Sequence, residues 1–350
     1  MIHQECFGFT RDGRQVDAYT LTNSIGAGVR VLTLGGIIQS LWVPDRKGVL
    51  GDVVLGFETV AQYEEPQYFG AVVGPCANRI PDGRVTIAGK PYQLFCNDPN
   101  GHNHLHGGLY GFSKRLWKAD VRQDRLVLSY FRTDGEEGYP GNLYVQVSYE
   151  FTEDCALELR YTGVTDAPTI LSMTNHAFFN LAGHDSGSIL DHRLRIGAAS
   201  FTENDEANVA TGAVLAVEGT PMDFRREKRI GQDLGTAYLH TCRAGGYDHN
   251  YVLEEHLFRT PVAELYDPGS GRHMEVLTTK PDLQLYTGNL LRGNLVGKGG
   301  TPYQKYSGLC LETQYAPNAV NNPHFPSILL CPGERYEHHT VYRFSAYPRA

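Results

Sequence analysis

The sequence predicts an all-β fold, a large antiparallel β-sandwich formed by one domain over residues 1–350. Two observations support this prediction. Many short segments alternate apolar and polar residues with the two-residue period of a half-buried strand. Long amphipathic helical patterns, by contrast, are nearly absent. Because no linker, repeat or change in composition divides the chain, we expect a single domain with a shared core.

The clearest alternation lies in the middle of the chain, at residues 143–151 and 155–161. Only residues 152–154 separate these segments, and so short a link cannot cross over between parallel strands. The sequence therefore predicts an antiparallel hairpin here. Similar alternating runs, separated by turns rich in Gly, Pro and Asp, predict further strands at residues 29–34, 37–43, 84–88, 126–132, 169–173, 262–266, 274–278 and 341–346.

The segments between the strands include one short helix and several long loops. Residues 58–64 have the pattern of two helical turns, with Thr59 as a possible N-cap. Long connections inside compact domains are usually functional or disordered. The sequence predicts such connections at residues 65–84, 96–112, 182–191, 203–219 and 292–307.

Composition excludes several classes of protein. The 31 Lys and Arg against 39 Asp and Glu give a net charge of −8, which argues against nucleic acid as the main partner. No apolar run approaches the ~18 residues that span a membrane, and the N-terminus lacks signal-peptide features. The 7 cysteines are widely spaced without a Cys-x-x-Cys pair, which argues against disulfides or structural zinc. We therefore expect a cytoplasmic protein without membrane or nucleic-acid partners.

Five polar, aromatic and glycine-rich clusters interrupt the strand pattern, at residues 74–80, 100–108, 173–181, 245–252 and 307–315. Four of them contain candidates for chemistry, each with a structural alternative. Arg79 could bind ligand oxygens or only nearby carbonyls. His176 could transfer protons or be a buried structural histidine. Asp248 could accept hydrogen bonds from ligand hydroxyls or serve a turn. Glu312, inside a strand pattern, could be a general base or face solvent.

The remaining cluster contains three histidines, His102, His104 and His106. On a strand they would share one face, an arrangement that can bind a metal ion. The flanking glycines favour a loop instead. The spacing alone therefore leaves open a metal site, local hydrogen bonding, or ligand contact by one histidine. Phosphate-loop, nucleophile-elbow, His-Glu-x-x-His and dinucleotide-binding motifs do not occur in the sequence.

Taken together, in this order and spacing, the clusters resemble the aldose 1-epimerase family, also called galactose mutarotases. The resemblance covers nearly the whole chain. Its motifs are Ala-Asn-Arg-Ile at residues 77–80, Leu-His-Gly-Gly at 105–108, Thr-Asn-His at 174–176, Gly-Tyr-Asp-His at 246–249, Leu-Glu-Thr-Gln at 311–314, Phe-Pro-Ser at 325–327 and Pro-Gly-Glu at 332–334.

The resemblance implies a galactose mutarotase-like β-sandwich that interconverts the α and β anomers of free aldohexoses such as D-galactose and D-glucose. It implies Glu312 as the general base and His176 as the general acid. Sugar binding would fall to Arg79, His106, Asp248 and Asn78, and Phe179 would lie against the apolar face of the sugar ring. The implied partner is a small aldose, with no metal or cofactor, and the protein would be a monomer or homodimer.

The two implied proton-transfer groups have suitable ordinary pKa values, ~4.3 for Glu and ~6.5 for His. We expect nearby carboxylates to raise the pKa of His176 modestly. One departure from the family pattern is that Pro75 and Cys76 stand where an arginine is expected. The alternatives are a hexose-6-phosphate 1-epimerase, a non-catalytic carbohydrate-binding protein, and a metal-dependent β-sandwich or cupin-like enzyme using the histidines at residues 102–106.

Overall fold

Three antiparallel sheets dominate the computed structural model, which describes residues 1–65 and 67–347. In chain order the strands are β1 Ile2–Phe9, β2 Gln15–Thr22, β3 Gly28–Leu32, β4 Ile38–Pro44, β5 Leu50–Asp52, β6 Val72–Val73, β7 Arg79–Ile80, β8 Arg84–Ile87, β9 Lys90–Gln93, β10 His104–Leu105, β11 Lys118–Arg122, β12 Arg125–Arg132, β13 Leu143–Phe151, β14 Ala156–Thr165, β15 Thr169–Ile170, β16 Thr174–Asn175, β17 Arg193–Ile196, β18 Ser200–Asn204, β19 Ala210–Ala216, β20 Lys228–Arg229, β21 Asp248–Val252, β22 Ala263–Tyr266, β23 Arg272–Thr278, β24 Asp282–Tyr286, β25 Cys310–Gln314, β26 Leu329–Leu330 and β27 Tyr336–Ala346.

The strand order connects distant parts of the chain. The first sheet has five strands in the order β1-β2-β3-β4-β5. The second has nine, in the order β11-β12-β13-β14-β27-β23-β22-β17-β20, and the third has five, in the order β19-β18-β21-β24-β25. One large cluster of buried apolar side chains includes members of all three sheets, among them Val29, Leu157 and Tyr251. The predicted all-β sandwich is confirmed.

The predicted central hairpin is also confirmed. Strands β13 and β14 pair antiparallel from Leu143 opposite Thr165 to Phe151 opposite Leu157. Every second side chain of β13, from Leu143 to Phe151, is buried, and the intervening side chains are more exposed. The apolar alternation in the sequence therefore marks the face of the strand that packs on the core.

The helices are short, as the sequence predicts. They are α1 Val60–Glu64 and α2 Leu239–Ala244, and 3₁₀ turns occur at Pro81–Gly83, Phe112–Lys114, Glu136–Gly138, Ile230–Gln232, Lys298–Gly300 and Ala319–Asn321. Thr59 caps α1 by accepting a hydrogen bond from the Gln62 backbone N–H, which confirms the predicted cap. Among residues 1–65 and 67–347, the helices are too short and too polar to cross a membrane.

Two segments differ from the expected strand pattern. The predicted loop at residues 203–219 contains strand β19, which pairs with β18 as a hairpin. β19 is an exposed edge strand, so its sequence lacks clear alternation. The predicted strand at residues 169–173 is interrupted, because the chain changes partner from β26 to β6 between β15 and β16.

A buried ion pair fastens the 3₁₀ turn at Lys298–Gly300 to the first sheet. Lys298 Nζ lies 2.6 Å from Asp52 Oδ2 and also donates to the carbonyls of Gln39 (2.8 Å) and Val54 (2.9 Å). Burial lowers the pKa of Lys298, and the Asp52 carboxylate opposes that shift. Removing one partner of a buried pair leaves the other charge uncompensated.

We expect Asp52→Asn to lower the free energy of unfolding by about 3 kcal/mol, because the Lys298 ammonium stays buried without its counter-charge. Urea denaturation measures the change. The matched control is Asp120→Asn, which breaks the exposed pair with Arg122. That variant is expected to lose less than about 1 kcal/mol. Equal losses in the two variants would contradict the stabilising role assigned to the buried pair.

Candidate active site

Strand β25 presents a thiol and a carboxylate to one imidazole. Cys310 and Glu312 are two residues apart on this strand, so their side chains point to the same face. His176 directly follows β16, and its ring lies beside that face. His176 Nε2 is 3.7 Å from Glu312 Oε1, and His176 Nδ1 is 3.4 Å from Cys310 Sγ. All three side chains are buried.

Aromatic side chains enclose the His176 ring. Tyr68 stacks near it with ring centroids 5.8 Å apart, and Phe178 lies 5.0 Å away. His106 and Tyr286 approach edge-on, at 5.3 Å and 6.2 Å. This packing restricts rotation of the imidazole and reduces the access of water to it.

A buried lysine ties together the two backbone segments that carry His176 and Glu312. Lys280 Nζ donates to the carbonyl of Met173 (2.7 Å), three residues before His176, and to the carbonyl of Thr313 (3.3 Å), directly after Glu312. Its ammonium also lies 3.8 Å from the centre of the Tyr161 ring, a cation–π distance. Lys280 therefore helps to set the separation of His176 and Glu312.

Asp248 begins strand β21, and two side-chain amides hold its carboxylate. Gln284 Nε2 donates to one oxygen at 2.7 Å, and Asn208 Nδ2 donates to the other at 2.5 Å. Burial raises the pKa of Asp248, while the Arg79 guanidinium and the two amides oppose this shift. Each carboxylate oxygen has further lone pairs, so Asp248 can still accept hydrogen bonds from hydroxyl groups.

Asn78, Arg79 and His106 come together because β7 pairs with β10. The Asn78 backbone N–H donates to His106 Nδ1 (3.2 Å), and the His106 N–H donates to the Asn78 carbonyl (3.1 Å). Burial lowers the pKa of His106 well below its usual value, so the ring is neutral. With Nδ1 acting as an acceptor, the proton of the ring lies on Nε2, which makes Nε2 a hydrogen-bond donor.

The electrostatics of the pair reverse the expectation from the sequence. Burial lowers the pKa of His176 to about 4, with the backbone carbonyl of His176 opposing this, whereas a modest increase was expected. Burial also raises the pKa of Glu312 well above its usual value, Asp248 raises it further, and Arg79 opposes both. Glu312 Oε2 is buried without a hydrogen-bond partner in the described chain. Burial therefore decides the direction of the His176 shift, and the modest increase that nearby carboxylates would give is not seen.

One other residue predicted from the sequence, Phe179, lies apart from this cluster. Phe179 is fully buried, with its ring 5.0 Å from Tyr342, and it belongs to the main core. Its neighbour Phe178 points the other way, toward His176, because successive side chains of an extended segment alternate between faces. The structure thus brings Phe178, and not Phe179, to the His176 ring.

The histidines at residues 102–106 do not converge. His104 is buried with both ring nitrogens bonded, Nδ1 to the Phe95 carbonyl (2.7 Å) and Nε2 to the Tyr139 hydroxyl (2.6 Å). His102 is exposed, whereas His106 is buried beside His176. The arrangement therefore does not support a shared metal site, and His104 has a structural role.

A different set of side chains has the composition of a metal site. One ligand atom each from His176, Cys310 and Glu312 lie within 4.8 Å of one another. These residue types can bind zinc. However, the imidazole presents Nδ1 to the thiol and Nε2 to the carboxylate, so no single nitrogen faces both. The imidazole thus lies between the thiol and the carboxylate, with one nitrogen facing each, which is not the arrangement of three ligands around one ion.

The segment before Asn78 shows how the chain accommodates the missing arginine. Pro75 and Cys76 are both buried, and the Pro75 carbonyl accepts a hydrogen bond from the Ser172 N–H at 2.7 Å. Cys76 packs in a small apolar cluster with Ile80. These contacts fix the backbone immediately before Asn78.

Comparison with known proteins identifies the family. The family model described as Aldose 1-epimerase matches residues 17–343. The chain belongs to the aldose 1-epimerase family. Its curated relatives include a galactose mutarotase of Bos taurus, 45% identical over 318 residues and 91% of each chain. They also include an aldose 1-epimerase of Escherichia coli K12, 34% identical over 340 residues, 96% of this chain and 97% of that one.

Solved structures agree with this membership. A GalM/aldose epimerase homologue from C. elegans superposes with a TM-score of 0.86 at 29% identity, covering 93% of this chain and 98% of that one. A galactose 1-epimerase from Lactobacillus acidophilus gives 0.85 at 26% identity, covering 99% of each chain. The predicted family, and with it the predicted class of enzyme, an isomerase, is confirmed.

Several residues around His176 and Asp248 could not be singled out from the sequence. Tyr68, Phe178 and Tyr286 resemble ordinary core aromatics, and Asn208 lies in a turn distant in sequence from Asp248. Cys310 could have been found, because two-residue spacing from Glu312 within a strand pattern places both side chains on one face.

Burial of the Glu312 carboxyl should make the protein less stable at higher pH than at lower pH. Glu312 has a folded-state pKa above its unfolded value. Well below the unfolded pKa, both states hold the proton. As the pH rises from the unfolded-state pKa to the folded-state pKa, the unfolded state loses its proton first, and this favours unfolding. Glu312→Gln should therefore unfold at higher urea concentration than wild type at about pH 8. The difference between the two urea midpoints should disappear at about pH 4. A wild type more stable than the variant at the higher pH would contradict this.

Proposed function

We propose that this protein catalyses the interconversion of the α and β anomers of free aldohexoses, D-galactose and D-glucose among them. The observation that supports this most directly is the buried pair of His176 and Glu312, 3.7 Å apart, beside Arg79, His106 and Asp248. Relatives named galactose mutarotase, at up to 45% identity, favour galactose as one substrate.

The pair supplies the acid and the base that mutarotation needs. Glu312 takes the proton from the hydroxyl on C1 while His176 donates a proton to the ring oxygen. The bond between C1 and the ring oxygen breaks, and an open-chain aldehyde forms. Rotation about C1–C2 turns the other face of the carbonyl toward the returning hydroxyl, and the ring closes with the two roles reversed. Every atom and proton is recovered, and no oxidation state changes overall.

The shifted pKa values suit these roles. An imidazolium whose pKa is lowered to about 4 is a strong donor toward the ring oxygen. A carboxylate whose pKa is raised well above its usual value is a strong acceptor toward the C1 hydroxyl. The neutral pair and the ion pair differ only in which of the two groups holds one shared proton, so the pair titrates as a unit.

The surrounding residues fit a polyhydroxylated ligand. Asp248 offers acceptors that are held in place by Gln284 and Asn208. His106 offers a donor at Nε2, because its Nδ1 already accepts from the backbone of Asn78. We assign these two residues, together with Arg79 and Asn78, to sugar binding.

The charge balance favours an unphosphorylated sugar. Arg79 is the one basic side chain among the charges that act on Glu312 and Asp248 in the described chain. Two carboxylates in the same place would repel a phosphate group. We therefore propose a free aldose as substrate in preference to a hexose 6-phosphate.

Polarimetry on freshly dissolved α-D-galactose and α-D-glucose tests the activity. We expect wild type to accelerate the approach to the same equilibrium rotation. Glu312→Gln should lower kcat by about 10²–10⁴-fold because the general base is lost, while sugar binding largely persists. The control is Glu150→Gln, which changes a carboxylate that pairs with Arg125 on the nine-stranded sheet. Binding without acceleration, or acceleration confined to hexose 6-phosphates, would overturn the proposal.

The pH profile tests the electrostatics of the base. Arg79 lowers the pKa of Glu312, and Asp248 raises it. Arg79→Ala should therefore move the acid limb of kcat/KM to higher pH, and Asp248→Asn should move it to lower pH, although both variants bind sugar more weakly. Arg122→Ala, in an exposed strand of the nine-stranded sheet, is the control. Shifts in the same direction for the two site variants would contradict the assignment of Glu312 as the group that titrates.

A further inference from the structure

The proposed proton transfers use one nitrogen of His176, and the other nitrogen contacts a cysteine. Cys310 Sγ lies 3.4 Å from His176 Nδ1, on the side of the ring opposite to the contact with Glu312. We infer that Cys310 is a positioning residue, whose thiol orients the His176 ring through Nδ1 in both protonation states that the imidazole adopts. This inference rests on the proposed function of the pair.

The position of Cys310 follows from the strand. Cys310 and Glu312 lie on the same face of β25, two residues apart, so the backbone fixes the thiol and the carboxylate relative to each other. The imidazole lies along that face and meets one group at each nitrogen. Cys310 also packs with Phe178 and Phe69 in the apolar cluster behind the ring.

A thiol can be both a donor and an acceptor, although a weak one in each role. When the imidazole is protonated, Nδ1–H donates to the sulfur and Nε2–H faces Glu312. After Nε2 has given its proton to the ring oxygen, the neutral imidazole keeps its proton on Nδ1, and the same hydrogen bond to the sulfur remains. Burial, with Glu312 and Asp248, raises the pKa of Cys310 well above its usual value, so the thiol keeps its proton.

A carboxylate in the same place would act differently. Its negative charge would stabilise the imidazolium and raise the pKa of His176, which would weaken the imidazolium as an acid. The thiol orients the ring without adding a negative charge. His176 therefore keeps the low pKa, about 4, that suits an acid acting on a ring oxygen.

Among the described residues, the other side chains around the ring do not orient it through Nδ1. Tyr68, His106 and Tyr286 face the ring as aromatic neighbours, and the carbonyl of His176 accepts a hydrogen bond from the Gly70 N–H at 2.9 Å. Among the described residues, Cys310 and Glu312 are the side chains recorded at the ring nitrogens. The carbonyl of His176 also raises the pKa of its own ring, so it is the competing partner for Nδ1.

Four variants separate the roles of the thiol in kinetics. Cys310→Ala removes the hydrogen-bonding group, and Cys310→Val removes it while filling the space. Both should lower kcat by about three- to tenfold with little change in KM, as expected for one lost hydrogen bond. Cys310→Ser can both donate and accept and should stay within about twofold of wild type. Cys155→Ala, at a buried cysteine in the turn before β14, should leave kcat unchanged.

Nitrogen-15 NMR of histidine-labelled protein measures the contact itself, with His176→Gln to assign the signals. The Nδ1 signal of His176 should change in the Ala and Val variants and stay near wild type in the Ser variant.

Unchanged signals in both Ala and Val would overturn the inference in favour of the backbone carbonyl. Changed signals with unchanged kcat, or a Ser variant as impaired as Ala, would overturn it too. Failure of the proposed function would be seen separately, as a wild type inactive on aldoses.

Discussion

The burial of one carboxylate, Glu312, is the constraint on which the rest of the site depends. A charged group removed from water is costly unless it is paired and hydrogen-bonded, yet Glu312 keeps one oxygen without a partner. Burial raises the pKa of the Glu312 carboxyl well above its usual value, and burial of His176 lowers the pKa of its imidazole to about 4. Burial thus opposes folding and also separates the pKa values of the two groups.

The fold tolerates this cost because the elements around the pair are themselves firmly held. Strand β25 pairs along its whole length with β24, and Lys280 links the backbone of β25 to the segment before His176. Asp248, a half-buried carboxylate nearby, is held by two amide donors. These contacts hold the Asp248 carboxylate in place and leave lone pairs on its oxygens free to accept further hydrogen bonds.

Local pattern was enough to predict much of the fold. The hairpin of β13 and β14 was predictable because half-buried strands alternate and a three-residue link allows only antiparallel pairing. The edge strands β1 and β19 were not, because little of their surface packs on the core, and so selection for apolar residues at alternate positions is weak. The change of partner after β15 was hidden as well, since residues 169–173 read as one continuous strand and give no sign of a change in pairing.

Within the site, the sequence by itself determined the chemical groups: a carboxylate in a strand pattern, a histidine after an apolar strand, and motifs shared with one enzyme family. Only the tertiary structure decided which neighbours these groups have. Phe178 and Phe179 are equivalent in the sequence, and the direction of the strand separates them. The pKa of His176 was expected to rise and instead falls to about 4, because desolvation depends on packing from segments more than a hundred residues apart. Residue type is local, but burial is a property of the whole fold.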